Sequence, residues 1–150
     1  MSSIYELRRE QVIARPLADV FDFFARPENL EKITPPWLRF RILTPLPIAM
    51  QQGALIRYAL RLRGLPIRWL TEIEAWNPPF EFVDVQRKGP YRLWRHTHRF
   101  AAVEQGTVVT DIVEYALPFG VLGRAAHGVL VARDLSRIFD YRAERVKALL

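Results

Sequence analysis

The stretch Pro118–Leu150, PFGVLGRAAHGVLVARDLSRIFDYRAERVKALL, decides the fold. Leu122, Ala126, Val129, Leu130, Leu135, Ile138, Phe139, Arg142, Val146 and Leu149 recur at the three- and four-residue spacing of one helical face, with a slip near Arg133. Arg124, Arg133, Asp134, Arg137, Glu144, Arg145 and Lys147 largely fill the opposite face. The pattern predicts a long amphipathic helix, which needs a partner for its apolar stripe. Residues 38–117 read mainly as strands, so the partner is one face of an antiparallel sheet. A sheet curled around one helix encloses either a packed core or a pocket, and the facing strands decide which.

Half of the 150 residues are apolar, enough for one core without staples, so a single domain over residues 1–150 is expected. The absence of cysteine excludes disulfides, cysteine-ligated zinc and a thiol nucleophile. No apolar run approaches the roughly 18 residues of a membrane span, and Met1–Glu10 lacks the apolar centre of a secretory signal, so the cytoplasm is the expected location. The net charge of +6 comes from cations spread along the chain with acids between them, and no run of four occurs. That spread fits a solvated surface better than a polyanion site, so nucleic acid is not the expected partner. Peripheral membrane contact and the oligomeric state are left open.

In chain order, Ile4–Ala14 reads as a strand ended by Pro16. Leu17, Val20, Phe21 and Phe24 follow helical spacing, and Pro27–Ile33 opens a second short helix with proline in its first turn. Thr34-Pro35-Pro36 stops it. Trp37–Leu43 is expected to be a strand, with Leu38, Phe40 and Ile42 alternating against Arg39 and Arg41.

Beyond Ala54 the turns set which side chains share a face. A two-residue loop at Gly64-Leu65 would pair Leu62 with Ile67, placing Ile56, Tyr58, Leu60 and Leu62 with Trp69, Thr71 and Ile73. A four-residue loop at Trp76–Pro79 would carry that face into Phe80, Phe82, Asp84 and Gln86. The turn near Gly89 hands it to Trp94, His96, His98 and Phe100. A two-residue loop at Gln105-Gly106 would put Val109, Asp111, Val113, Tyr115 and Leu117 inward, with Val113 opposite His98 and Asp111 opposite Phe100.

The inward face is thus apolar at its ends, with Thr71, Asp84, Gln86, His96, His98, Asp111 and Tyr115 in its middle. Buried polar groups need partners, each unsatisfied one costing on the order of 1–3 kcal/mol. They therefore form a self-satisfied network, such as His98 with Asp111 or Asp84, or they face a wet or ligand-filled cavity. His96 and His98, two apart on a strand, could join Asp84 or Asp111 as metal ligands, although a two-residue HxH signal is weak. A His with an Asp and a Tyr could equally do acid–base work on an enolisable substrate. Ser2, Ser3 and Ser136 sit in no nucleophile elbow. PFGVLG reads as a helix entry with close backbone packing rather than as a phosphate loop.

The segments FDFFARPENLEKITPPWLRFRI, WLTEIEAWNPPFEFVDVQRKGPYRLWRHTHRF and DIVEYALPFGVLGRAAHGVLVARDLSRIFDYR resemble the START-like (SRPBCC) superfamily, in particular its bacterial ligand-binding, cyclase/dehydrase-like members. The resemblance runs nearly the full length. It implies an α+β helix-grip fold of START/Bet v 1-like type, in which a curved antiparallel sheet of about six to seven strands wraps around a long C-terminal helix, with two short helices after the first strand. It also implies a deep cavity for an apolar or amphipathic small molecule. The superfamily holds lipid and sterol carriers, quinone-binding proteins and polyketide cyclases, so a ligand class is implied and not a ligand. No cyclase catalytic set maps onto this chain residue by residue.

The expected function is non-catalytic binding or transport of a lipid, quinone or polyketide-like molecule, with no cofactor and no metal assigned. Trp69, Phe82, Trp94 and Phe100 supply apolar wall, and Val131, Leu135 and Ile138 the helix side. His96, His98, Asp84, Asp111 and Tyr115 orient a polar head, and Tyr58, Thr71, Gln86 and Val113 complete the set. The alternatives are a cyclase or dehydratase using the pocket His, Asp and Tyr, and polyanion binding through Arg57, Arg61, Arg63 and Arg68 on the outward face.

Overall fold

The computed structural model describes residues 3–150, the side chain of Val129 excepted. Ser2, and the place of Val129 in the expected stripe, lie outside the described residues. Strand β1 (Tyr5–Ile13) is followed by α1 (Leu17–Ala25) and α2 (Pro27–Ile33). The strands β2 (Arg41–Ile42), β3 (Leu55–Leu62), β4 (Leu65–Asn77), β5 (Glu81–Lys88), β6 (Leu93–Val103) and β7 (Gly106–Ala116) come next. The chain closes with α3 (Val121–Ala126), one π turn (His127–Val131) and α4 (Ala132–Leu149). All seven strands join one curved antiparallel sheet in the order β1-β7-β6-β5-β4-β3-β2, an α+β helix-grip arrangement.

Helix α4 crosses the inner face. Leu135 and Phe139 pack with Val113 and Tyr115 of β7, while Val146 packs with Phe21 of α1 and with Phe100 and Val109. Edge strand β1 is tied to the same helix, since Arg9 Nη1 donates to Asp140 Oδ1 (2.6 Å) and Gln11 Nε2 to the carbonyl of Ala143 (2.8 Å). The expected stripe holds at Leu135, Phe139, Arg142 and Val146, which are buried, but Leu122, Ala126 and Leu130 are exposed. The slip in periodicity is resolved by the π turn, whose wider winding rotates the face between α3 and α4 and leaves α3 off the sheet.

Trp37–Leu43 is not one strand. Pro36 opens a 3-10 turn through Leu38, and Arg39 takes a left-handed conformation (φ 46) that interrupts extension, so only Arg41 and Ile42 pair with β3. The hairpin registers also differ from the expected ones. The β3–β4 loop is Arg63-Gly64, with φ of 50 and 84, the paired left-handed geometry that suits glycine in the second place. Leu62 therefore meets Leu65, and Leu60 meets Ile67. The β6–β7 loop is Glu104-Gln105, pairing Val103 with Gly106. Both corrections slide a strand by two residues and leave every side chain on its expected face.

The β4–β5 hairpin changes more. A bulge between Ile73 and Ala75 inserts one residue, so Trp76 pairs with Phe82 and turns inward onto Phe21, while Phe80 is left exposed in the turn. Phe80 is thus not on the inward face, and Trp76 is not a loop residue. Gly123 is buried at the entry of α3, where a Cβ would collide with the carbonyl oxygen of Pro118, the close packing expected of PFGVLG.

Candidate binding cavity and its polar wall

Period-two alternation puts His96 and His98 on the inner face of β6, flanked by Asp84 on β5 and Asp111 on β7. Asp84 lies directly opposite His96, and Asp111 opposite His98. The hydrogen bonds, however, run diagonally: His98 Nε2 to Asp84 Oδ2 at 2.6 Å, and His96 Nε2 to Asp111 Oδ1 at 2.7 Å. The imidazoles stack on each other (3.7 Å between centroids), and His98 also stacks on Phe82 (4.1 Å). Arg142 reaches down from α4 and donates to Asp111 Oδ1 at 3.4 Å. The network is largely self-satisfied. Among the described residues, His98 Nδ1 is the buried side-chain nitrogen left without a hydrogen-bond partner.

Burial disfavours charge on Asp111, but Arg142 and the two imidazoles more than offset it and hold the carboxyl well below its ordinary value. Burial likewise opposes ionisation of Asp84, but the hydrogen bond from His98 together with the charges of His98, His96 and Arg142 outweighs it, so this carboxyl too is lowered. For His98 burial wins. It and the neighbouring His96 push the imidazole down to about 4, so His98 is neutral at neutral pH and donates through Nε2 to Asp84. Burial, with the Asp84 carboxylate nearby, raises the Tyr58 phenol.

This polar group forms one wall of a cavity of about 190 Å³ between the sheet, α2 and α4. Ten expected residues line it: Tyr58, Trp69, Thr71, Phe82, Asp84, Trp94, His96 and His98 from the sheet, with Leu135 and Ile138 from α4. Six do not. Gln86 spends its amide on the turn, accepting from Tyr91 N (3.1 Å) and donating to Tyr91 O (2.7 Å). Phe100 packs in the core against Phe21 and Phe24. Asp111 stands behind the histidines, bound to Arg142. Val113 is packed under α4, and Val131, at the end of the π turn, packs against the same cluster. The Tyr115 phenol bonds His127 Nε2 (2.8 Å) in the π turn, beyond the cavity.

The remaining lining is mostly apolar, including Phe24, Leu30, Ile33, Leu38, Leu60 and Phe139. Asn29 also lines it, with its amide satisfied by the carbonyl of Phe23. Asp84, His96 and His98 each offer a metal-ligand atom within 4.8 Å of the others. The Nε2 atoms of both histidines and Asp84 Oδ2 are engaged in the His–Asp pairs, His98 Nδ1 is not, and the Arg142 guanidinium on the same wall opposes a second cation. On the outer face, Arg87–Glu72, Arg95–Glu74 and Arg99–Glu81 pair across strands, so that face mixes both signs.

Residues 5–150 match the protein family described as polyketide cyclase / dehydrase and lipid transport. The chain belongs to that family. Its fold is that of the START-like superfamily, as the solved structures also show. A Chromobacterium violaceum protein is 14% identical with a TM-score of 0.73, over 96% of each chain. A Mycobacterium smegmatis protein is 20% identical (TM-score 0.71), over 96% of this chain and 89% of its own. A major latex-like protein of Panax ginseng is 12% identical (TM-score 0.70), over 97% and 96%. A search of curated proteins finds no match.

Within this family fold, Arg142 lines the cavity although it is not among the expected site residues. It falls on the apolar stripe, three positions from Phe139 and seven from Leu135. A guanidinium at such a position signals a buried carboxylate partner, which the structure supplies in Asp111. Tyr91, Phe24 and Leu38 were hidden in turns and short helices, whose side-chain directions follow from tertiary packing.

Proposed function

We propose that the chain, acting as one unit, binds a single small and mainly apolar molecule in this cavity without transforming it, the ligand's polar group lying along the Asp84, His96 and His98 wall. The observation that carries the reading is the clustering of Asp84, His96, His98 and Arg142 on one side of a cavity whose lining is otherwise mainly aromatic and aliphatic, with Arg26, Asn29, Thr34 and Thr71 as its other polar side chains. The volume of about 190 Å³ suits a ligand of one or two fused rings. It favours quinone- and polyketide-like ring systems over a lipid lodged whole. Trp69 and Trp94 line the cavity, so saturable quenching of tryptophan fluorescence by 1,4-naphthoquinone is the expected result. Ile138→Trp, which fills the cavity from the helix side, is expected to weaken that binding by about tenfold or more. Absence of saturable quenching, or equal affinity in Ile138→Trp, would sink the reading.

The two stacked His–Asp pairs favour a second reading, a cyclase or dehydratase in which an imidazole exchanges a proton with an enolisable substrate. His96→Ala and His98→Ala are then each expected to slow turnover of a polyketide-like substrate by about a hundredfold or more. Unchanged turnover in both variants removes this mechanism.

A further inference from the structure

The segment between the last strand and α4 exposes a run of large apolar side chains. Phe119, Val121 and Leu122 are 81%, 69% and 75% exposed, and Leu130 is exposed beside them. Phe119 sits at φ 71 and Gly120 at φ 52, a left-handed pair that is strained for a bulky aromatic and that puts its ring in solvent. Helix α3 runs straight into the π turn, and Val121, Leu122, Arg124, Ala125 and Ala126 are exposed along it. No Asp or Glu falls between Glu114 and Asp134, whereas Arg124 and Arg133 are both exposed there.

A second apolar tip is tied to the start of α4. Arg63 Nη2 donates to Asp134 Oδ1 (2.9 Å), bringing the β3–β4 turn against the start of α4. That turn carries Leu65, 67% exposed, with exposed Arg61 and Arg68 on the flanking strands. Leu62 and Leu135, each one residue from this ion pair, line the cavity.

We propose that residues 118–126, together with the β3–β4 turn, dock on an anionic lipid bilayer. The apolar tips enter the interface, and the arginines around them meet lipid phosphates. Charge complementarity selects a membrane over a second copy of this chain, because two such patches would bring arginines face to face. The inference does not rest on what the cavity binds.

Co-sedimentation with vesicles of phosphatidylcholine alone, and of phosphatidylcholine mixed with phosphatidylglycerol, tests it. Retention on the mixed vesicles, weakened by added salt, is expected. Phe119→Ser combined with Leu122→Ser should lower the partition by about tenfold or more, and Arg124→Gln or Arg133→Gln by about fivefold each. All four positions are exposed, so the melting temperature should hold. Failure to bind the mixed vesicles, or binding unaffected by the double serine substitution, overturns the proposal. A dimer in analytical ultracentrifugation that the same substitution dissolves assigns the patch to a second copy, and also overturns it.

Discussion

Replacing Arg142 by methionine is expected to cost about 3–5 kcal/mol of stability, because it leaves the buried Asp111 carboxylate without its cationic partner. A further effect adds in the same direction. The guanidinium lies over the rings of Phe24 (5.3 Å) and Phe139 (5.8 Å), so its loss also removes cation–π contact. The methionine restores the aliphatic bulk, which separates the electrostatic cost from a cavity. Combining Arg142→Met with Asp111→Asn is expected to recover most of the loss, since the amide oxygen still accepts from His96 and no charge remains unpaired. Urea midpoints of the single and double variants measure this. Equal stabilities for the two would show that the charge pair is not what the helix needs.

Acid is expected to weaken the fold in two stages, the first governed by His98. Its folded-state value of about 4 lies below the ordinary 6.5, so between these values the unfolded chain holds a proton that the native chain does not. Stability therefore falls as the pH drops through that window, by on the order of 3 kcal/mol in all. Asp84 and Asp111 have the same sign, although for them folding favours the charged form where for His98 it favours the neutral one. Their values are depressed by folding, so their contribution is complete above the ordinary 3.8 and is lost as the pH falls further. The groups facing His98 are His96, Asp84 and Asp111, with Arg142 behind Asp111. His98→Phe, which keeps the stack on Phe82, is expected to be less stable throughout but to flatten the slope between pH 6.5 and 4. A wild-type midpoint that stays level across this window, or a variant with the same slope, would contradict the assignment.

Most of the inner face was legible from alternation alone. Tyr58, Thr71, Phe82, Asp84, His96, His98 and Asp111 all point inward, although the β3–β4 and β6–β7 loops each lie one residue earlier than the turn signals predict. A strand that slips by two residues keeps its faces, because side chains repeat every second position. The partners change, however. The expected register set Asp111 opposite Phe100, whereas the Glu104-Gln105 loop sets it opposite His98 and within reach of His96. Only the loop geometry could decide that. The bulge that turns Trp76 inward and Phe80 outward was likewise beyond a reading of periodicity, since one inserted residue reverses faces without altering composition.

By itself the sequence determined an amphipathic C-terminal helix, an antiparallel sheet, and a sheet face too polar at its centre to be plain core. These are local matters of period and residue type. Tertiary structure decided that the polar centre is two crossed His–Asp pairs closed by Arg142, and that the first part of the helical stripe leaves the sheet at a π turn. Both depend on where distant segments meet: β5, β7 and α4 around β6 in the first case, and Tyr5 of β1 and Tyr115 of β7 around His127 of the π turn in the second. Hydrophobic spacing specifies a face, but cross-strand register and helix winding are set by contacts between segments far apart in the chain.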